Sequence, residues 1–339
     1  MVYMPVNLRT FFYVLLAAVL SIPFVCAAGA AGTDAGAIIA TGQGLFWHEP
    51  SDIASRDLFY GPGGKEHPPH GPYTFVKEDL NGSNPKYVVR DGDGVQWKVK
   101  LGVEARPETV ATRVVWAVGY YANEDYFLPD LQIANLPAHL HRGQKLIGPG
   151  GTMHNVRLKR EDEKKTGDWQ WRQDPFTGTR EWYGLRVLMA VINNWDLKDE
   201  NNSIYRGGDA QNVYMVSDLG ASFGTPALRW PLSRAKGNVE SYAGSKFIVH
   251  IAPTTVDFAD PGRPEFVFLL HPRNYFERLH MRWIGREIPR EDARWMGSLL
   301  ARLSPQQIQD AFRAAGYSAQ EIDLFSSVLE KRIKQLSEL

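Results

Sequence analysis

The stretch Asn193-Asn-Trp-Asp-Leu-Lys-Asp-Glu-Asn-Asn202, with Ser217-Asp-Leu-Gly220 downstream, constrains this chain more than any other. Before it lies an apolar segment, Thr179 to Trp195, in which Trp182, Leu185, Leu188, Met189 and Ile192 recur at helical spacing. After it come two short strands, Ser203 to Tyr205 and Asn212 to Val216, around the turn Arg206-Gly-Gly-Asp-Ala-Gln211. If these pair as a hairpin with Tyr205 opposite Asn212, Asn201 faces Val216, within two residues of Asp218. An amide oxygen and a carboxylate then share one end of the hairpin, and Asp196 lies a short loop away at the end of a buried helix. Two hard oxygen ligands beside a third carboxylate suit Mg²⁺ holding nucleotide phosphates. Each piece alone is ordinary: Asp-Leu-Gly after a strand is a turn, and an Asn-rich loop after a helix is a cap. The order helix, Asp-x4-Asn, hairpin, Asp-x-Gly carries the argument.

Upstream, the pattern is β from Tyr73 to Leu101. Tyr73-Thr-Phe-Val is one run, Lys86-Tyr-Val-Val-Arg the next, and Val95-Gln-Trp-Lys-Val-Lys-Leu101 the third, with the tight turn Asp91-Gly-Asp-Gly94 before it. A helix follows, with Pro107 in its first turn, Val110, Val114, Val115 and Val118 at helical spacing, and Gly119 at its end. Further on the chain reads as helical, and Ser304-Pro-Gln-Gln307 and Ser318-Ala-Gln-Glu321 are capping boxes. Histidines 67, 70, 139 and 141 sit among Pro and Gly and read as loop residues rather than metal ligands.

The N-terminus reads as a targeting segment. Arg9 precedes an apolar run from Phe11 to Val25, and Cys26-Ala-Ala-Gly-Ala-Ala31 offers small residues for cleavage, best placed after Ala28. An uncleaved anchor is the alternative, although the run is short for a bilayer. Cleavage leaves no cysteine in the mature chain, hence no disulfide, thiolate zinc site or cysteine nucleophile. Export to a periplasmic or extracellular location follows, with no transmembrane span in the mature protein. Lys plus Arg equals Asp plus Glu at 38 each, so no global field draws nucleic acid. The domain reading is a signal peptide over 1–28, a leader and N-terminal extension over 29–71, a small lobe and hinge over 72–160, and a helical lobe over 161–339. Within the extension, residues 29–44 are rich in Ala and Gly and read as flexible.

With these pieces in place the chain resembles the protein-kinase-like superfamily, whose catalytic loop has Asp and Asn five apart before a hairpin and an Asp-Phe-Gly-type turn. The likeness is to the atypical branch of HipA-type and phosphatidylinositol-kinase-like kinases. It covers roughly residues 72 to 225. The resemblance implies an α+β, bilobal protein-kinase-like fold, with a small β-rich N-lobe and a larger helical C-lobe, in an exported bacterial-type member. Carried over by position, Asp196 would orient or deprotonate an acceptor hydroxyl, while Asn201 and Asp218 would hold Mg²⁺ or Mn²⁺. ATP would be the donor. Lys98 and Lys100 point to one face of their strand; one of them, Lys100 by preference, would meet the phosphates with Glu108 as its salt-bridge partner. Glu108 at a helix start also suits the dipole alone. The loop Asn81-Gly-Ser-Asn-Pro-Lys86 resembles a phosphate-covering element, which implicates Gly82, Ser83 and Lys86. Lys198 stands where that branch often has histidine, and Leu219 replaces the usual Phe. The acceptor is unknown, and AMP or amino-acid transfer is an alternative to phosphoryl transfer.

Two other readings follow from the same sequence. One is a degenerate kinase-fold protein that binds a ligand without catalysis, against which Asp196, Asn201 and Asp218 stand together. The other is a carbohydrate-binding envelope protein, in which Trp169, Trp171 and Trp182 would stack on sugars.

Overall fold

The computed structural model describes residues 40–41, 44–82, 84–161, 164–207, 211–227, 229–230, 234–259, 269 and 272–339. The expected signal peptide, 1–28, and nearly all of the expected flexible stretch, 29–44, lie outside the described residues. Two short strands, β1 (Ala40–Thr41) and β2 (Gly44–Leu45), come first. From there the N-terminal extension packs into the core: Phe46, Trp47, Ile53 and Leu58 are buried, and the Trp47 indole donates to the Val118 carbonyl at 2.7 Å. Four large apolar side chains without a repeat gave no period by which to read them as an element.

A closed barrel follows. Its strands are β3 (Tyr73–Asp79), β4 (Lys86–Arg90), β5 (Gln96–Lys100), β6 (Asp125–Ala134) and β7 (Thr152–Arg160), hydrogen-bonded in the order β3-β4-β5-β7-β6. The first three match the sequence pattern; β6 and β7 are additions to it. Pro129 lies within β6, and proline in a strand argues against one unless a side is unpaired. Here β3 meets β6 only at Ile133 and Ala134, so Pro129 needs a single partner strand. Alternation of side chains divides the wall in two. Tyr87, Val89, Trp97, Val99, Val156 and Leu158 fill the barrel. Lys86, Lys100 and Arg157, in register across β4, β5 and β7, occupy the opposite face. Helix α1 (Ala105–Ala117) joins this face to the main core, contributing Val110, Val114 and Val115 to that core.

The remainder is built around α2 (Arg180–Val191), whose N-cap Thr179 accepts from the Trp182 N–H. Leu185, Val187, Leu188, Met189 and Val191 are all buried, so the helix is covered nearly all round. Strand β8 (Lys165–Gly167) precedes it, and the hairpin β9 (Asn202–Arg206) and β10 (Asn212–Val216) follows in a sheet of order β1-β2-β10-β9-β8. The hairpin register differs by one residue from the expectation: Asn212 pairs with Arg206, and Val216 with Asn202. The Gly207 N–H donates to the Gln211 carbonyl at 2.9 Å, which closes the turn one residue later than assumed. Beyond lie α3 (Val239–Ala243), β11 (Ile248–Ile251), β12 (Thr255–Phe258), α4 (Pro272–His280) and β13 (Ile288–Pro289). Strands β11, β12 and β13 form a small antiparallel sheet within a region read as wholly helical. Helices α5 (Arg290–Leu300), α6 (Pro305–Ala314) and α7 (Ala319–Ser337) complete the chain, the last two opened by the expected capping boxes. Arg332 of α7 donates to the carbonyls of Ala190 and Val191, both at 3.0 Å, and so tethers the C-terminal end of α2. The fold is mixed α/β. Among the described residues no helix is long and apolar enough to cross a membrane.

Candidate active site

Lys100 is the last residue of β5, and its side chain leaves the barrel towards α1. The Nζ lies 2.7 Å from Glu108 Oε2, 3.0 Å from Asp218 Oδ1 and 3.2 Å from Glu104 Oε2. Glu104 and Glu108 are one helical turn apart, which sets both carboxylates on the same side of α1. Glu108 is also held by Arg157, whose Nη2 donates to Oε1 at 2.7 Å. Lys236 pairs with the other oxygen of Glu104. The Gly220 position is shaped by the same carboxylate: a Cβ there would fall 2.7 Å from Glu104 Cβ, so any larger residue would push Glu104 off the cluster.

The loop after α2 is fixed by its backbone. Asn193 adopts a left-handed φ of 53° and donates from Nδ2 to the Gly224 carbonyl at 2.6 Å. Asn194 is fully buried and accepts the Asp196 N–H on its side-chain oxygen at 3.1 Å. Asn201 then donates from Nδ2 to the Asp196 carbonyl at 2.6 Å. Only the nitrogen of an amide can donate to a carbonyl, so the Asn201 Oδ1 is left for another partner. The Asn201 carbonyl accepts the N–H groups of Ser217 and Asp218 at 2.9 and 3.2 Å, which ties the two segments together at the open end of the hairpin. Asp218 uses Oδ1 for Lys100, and its side chain remains 38% exposed.

Of these groups Glu104, Asn201, Asp218 and Lys236 line a cleft of about 990 Å³, together with Gly82, Asn84, Lys86, Asp196 and Lys198. Gly82 takes a φ of 68°, and a Cβ on it would sit 3.3 Å from Lys86 Nζ, so the loop and the lysine lie against each other. Arg142 clamps that loop, donating to the carbonyls of Asp79, Asn81 and Gly82. Ser83 lies outside the described residues. Lys98 does not join the cluster: its Nζ pairs with Asp79 at 3.3 Å and Glu161 at 3.1 Å. The sequence expectation thus divides. Lys100, Glu108 and Asp218 come into contact, Asp196, Asn201, Gly82 and Lys86 share the cleft with Asp218, and Lys98 is engaged elsewhere.

Electrostatics follow from burial and from the crowding of charges. Burial works to raise Asp218, but the adjoining Lys100 ammonium outweighs it and holds the carboxyl well below the usual range. Burial works to lower Lys100, yet Asp218, Glu108 and Glu104 outweigh it and raise the ammonium above its ordinary value. For Glu108 burial prevails and its carboxyl is raised, whereas Glu104 ends lowered because Lys100 and Lys236 outweigh its burial. Glu104, Glu108 and Asp218 have oxygens close enough to surround a cation. The Lys100 ammonium already holds that position. The side-chain oxygen of Asn201 and the Asp218 carboxylate, hard oxygens that both line the cleft, are the donors that could serve a divalent ion.

Sequence reasoning missed Glu104, Arg157 and Lys236. A Glu four residues before Glu108 and four after Lys100 was a readable signal for the first. For Arg157 and Lys236 no local pattern existed, since β7 brings one and the chain beyond Gly220 brings the other. The tryptophans proposed to stack on sugars are packed away, Trp169, Trp171 and Trp182 being 3%, 1% and 3% exposed, which leaves no open ring face.

No protein-family model matches the sequence, and no curated protein does. Among solved structures, the chain is similar to a Helicobacter pylori proinflammatory kinase, CtkA. The two are 10% identical with a TM-score of 0.43, over 78% of this chain and 96% of that one.

Proposed function

We propose that this chain is a phosphotransferase of protein-kinase-like fold that uses Mg-ATP, with the barrel and α1 as its small lobe and the helical remainder as its larger one. The observation that supports this best is the buried Lys100 ammonium, held between Glu108 of α1 and Asp218 of the post-hairpin turn, where Asp218 lines a cleft together with Asp196 and Asn201. A strand lysine fixed by a helix carboxylate presents a permanent positive charge to nucleotide phosphates. Lys86 and Lys236 line the same cleft and extend that field. Asn201 and Asp218 would hold Mg²⁺, which supplies charge neutralisation on the phosphates when bound. Asp196 would accept the proton of the acceptor hydroxyl as its oxygen bonds to the γ-phosphorus, and the bond to the β-phosphate oxygen breaks to release ADP.

Asp196→Ala should lose Mg-ATP turnover, followed as ADP formed, while nucleotide affinity stays within a few-fold. Loss of binding and turnover together in a folded variant would mean that the role of Asp196 is misassigned. Pyrophosphate in place of ADP would make the reaction AMP transfer. Export, proposed on Arg9 and the apolar run to Val25, predicts a mature N-terminus between about residues 27 and 33 by mass spectrometry, and an intact Met1 on protein recovered from the cytoplasm would refute it.

A further inference from the structure

Beside the cleft lies a second cavity of about 780 Å³, which shares Arg172, His280 and Trp283 with it. Its charge is one-sided. Arg172 and Arg186 both line it, and among the described residues neither is paired with a carboxylate. Arg172 is exposed, with its guanidinium over the Trp283 ring at 4.4 Å. Arg186 is 4% exposed and donates only to carbonyls, those of Ile284, Trp283 and Arg286 at 2.7, 3.0 and 2.7 Å. Its guanidinium also faces the rings of Trp182 at 4.4 Å and Trp283 at 5.2 Å. Burial draws this group down to about 10, the charge of Glu287 offsetting only part of that, and it stays protonated at neutral pH. Arg286, on the same wall, pairs with Asp257 at 3.3 Å, which leaves Glu287 as the acidic residue of the lining. Capping the carbonyls of the 282–285 turn accounts for Arg186. It does not account for Arg172, which is exposed, lies over an aromatic ring and lines both cavities.

We propose that this cavity is the acceptor subsite, and that the acceptor is a molecule carrying a phosphate or carboxylate group. The proposal rests on the phosphotransfer reading of the adjoining cleft. Planar guanidinium groups bind either anion through paired N–H donors, and arginine on an aromatic face is preorganised for it. An acceptor so held would present its hydroxyl past Arg172 and Trp283 towards Asp196.

The test is calorimetric titration of the folded protein with inorganic phosphate at low ionic strength. One site is expected, weakened at least tenfold by Arg172→Gln and less than twofold by Lys236→Met, which lies in the nucleotide cleft. The reverse order would place the phosphate in the nucleotide cleft and overturn the assignment. Heat no greater than that from sodium chloride at matched ionic strength would overturn it as well. O-Phosphoserine or glutamate should displace the phosphate where serine does not. The stronger competitor identifies the anionic group, and failure of both refutes an acceptor site. Because no nucleotide is present, this outcome is independent of Mg-ATP binding. Phosphate binding that survives while nucleotide binding fails would sink the phosphotransfer reading, and the acceptor assignment with it, and leave the cavity an anion site.

Discussion

Helix α1 carries two buried ion-pair clusters a little over one turn apart, and they differ in how completely they are satisfied. At the far cluster Arg113 and Asp125 are each 1% exposed and meet at 2.9 Å. The guanidinium also donates to the carbonyls of Phe59, Tyr60, Thr109 and Asp125, while Thr112 donates to the second Asp125 oxygen. At the cleft cluster three carboxylates crowd one ammonium, two Arg157 nitrogens are buried without a hydrogen-bond partner among the described residues, and Asp218 is part exposed. A saturated cluster has nothing left to offer a ligand. An unsaturated one beside a cleft keeps its charge at a cost in stability, and such a place is where chemistry is expected.

The largest effect should come from opening the saturated pair. Asp125→Ala leaves the Arg113 guanidinium buried without its carboxylate, and breaking a buried pair in this way costs about 3–5 kcal/mol. At roughly 2 °C per kcal/mol for a chain of this length, the melting temperature should fall by about 6–10 °C. Nucleotide affinity per folded molecule should hardly move, as measured by titration well below the new melting point. A large loss of affinity would mean that the two clusters are coupled and the contrast between them is false.

The next effect belongs to the cleft. A ligand at a hundredfold excess over its Kd adds about 2.7 kcal/mol to the folded state, or roughly 5 °C here. The rise should require ATP with Mg²⁺ or Mn²⁺, because Asp218 and the phosphates repel each other without a cation between them. Asp218→Asn should abolish the metal-dependent part, and Lys100→Met should weaken nucleotide binding more than Lys98→Met. Scanning calorimetry of the three variants checks all of this. No shift with any nucleotide at millimolar concentration, in folded wild-type protein, would sink the enzyme reading.

Local pattern carried the parts of this molecule that are contiguous in sequence. The run Lys86–Arg90, the helix after Pro107, the buried helix before Asn193 and both capping boxes were legible because period and cap chemistry act within a few residues. Asn201 and Asp218 were legible as neighbours even though the assumed register was off by one, since a hairpin joins its own ends whichever way the turn is closed. Strands β6 and β7 were not, because Pro129 and the charged residues of β7 hide an alternation that only barrel closure explains. The choice between Lys98 and Lys100 could not be settled by a period of two, which sends both to one face. What separates them is the long-range placement of Asp218 beside one, which joins the local Glu104, and of Asp79 and Glu161 around the other.

That choice supplies the smallest prediction. Lys98 and Asp79 form a partly buried pair, 23% and 10% exposed, apart from the cleft cluster. Burial works to raise Asp79, but the Asn81 N–H and the charges of Lys98 and Lys86 outweigh it and hold its carboxyl below the ordinary value. A depressed carboxyl contributes stability that is complete above the unfolded value of about 3.9 and is lost as pH falls through the folded one. In that window the unfolded chain binds the proton and the folded chain does not, so unfolding free energy must rise with pH. Asp79→Asn removes this dependence. Denaturant titrations should therefore show the wild type exceeding Asp79→Asn by about 0.5–1 kcal/mol at pH 6, with the gap closing as the pH drops below about 4. Lys98→Met should reduce the same slope and leave the Mg-ATP shift in place. If Lys98→Met instead erases that shift while Lys100→Met spares it, the phosphate contact belongs to Lys98, and the cluster around Lys100 is structural like the one around Arg113.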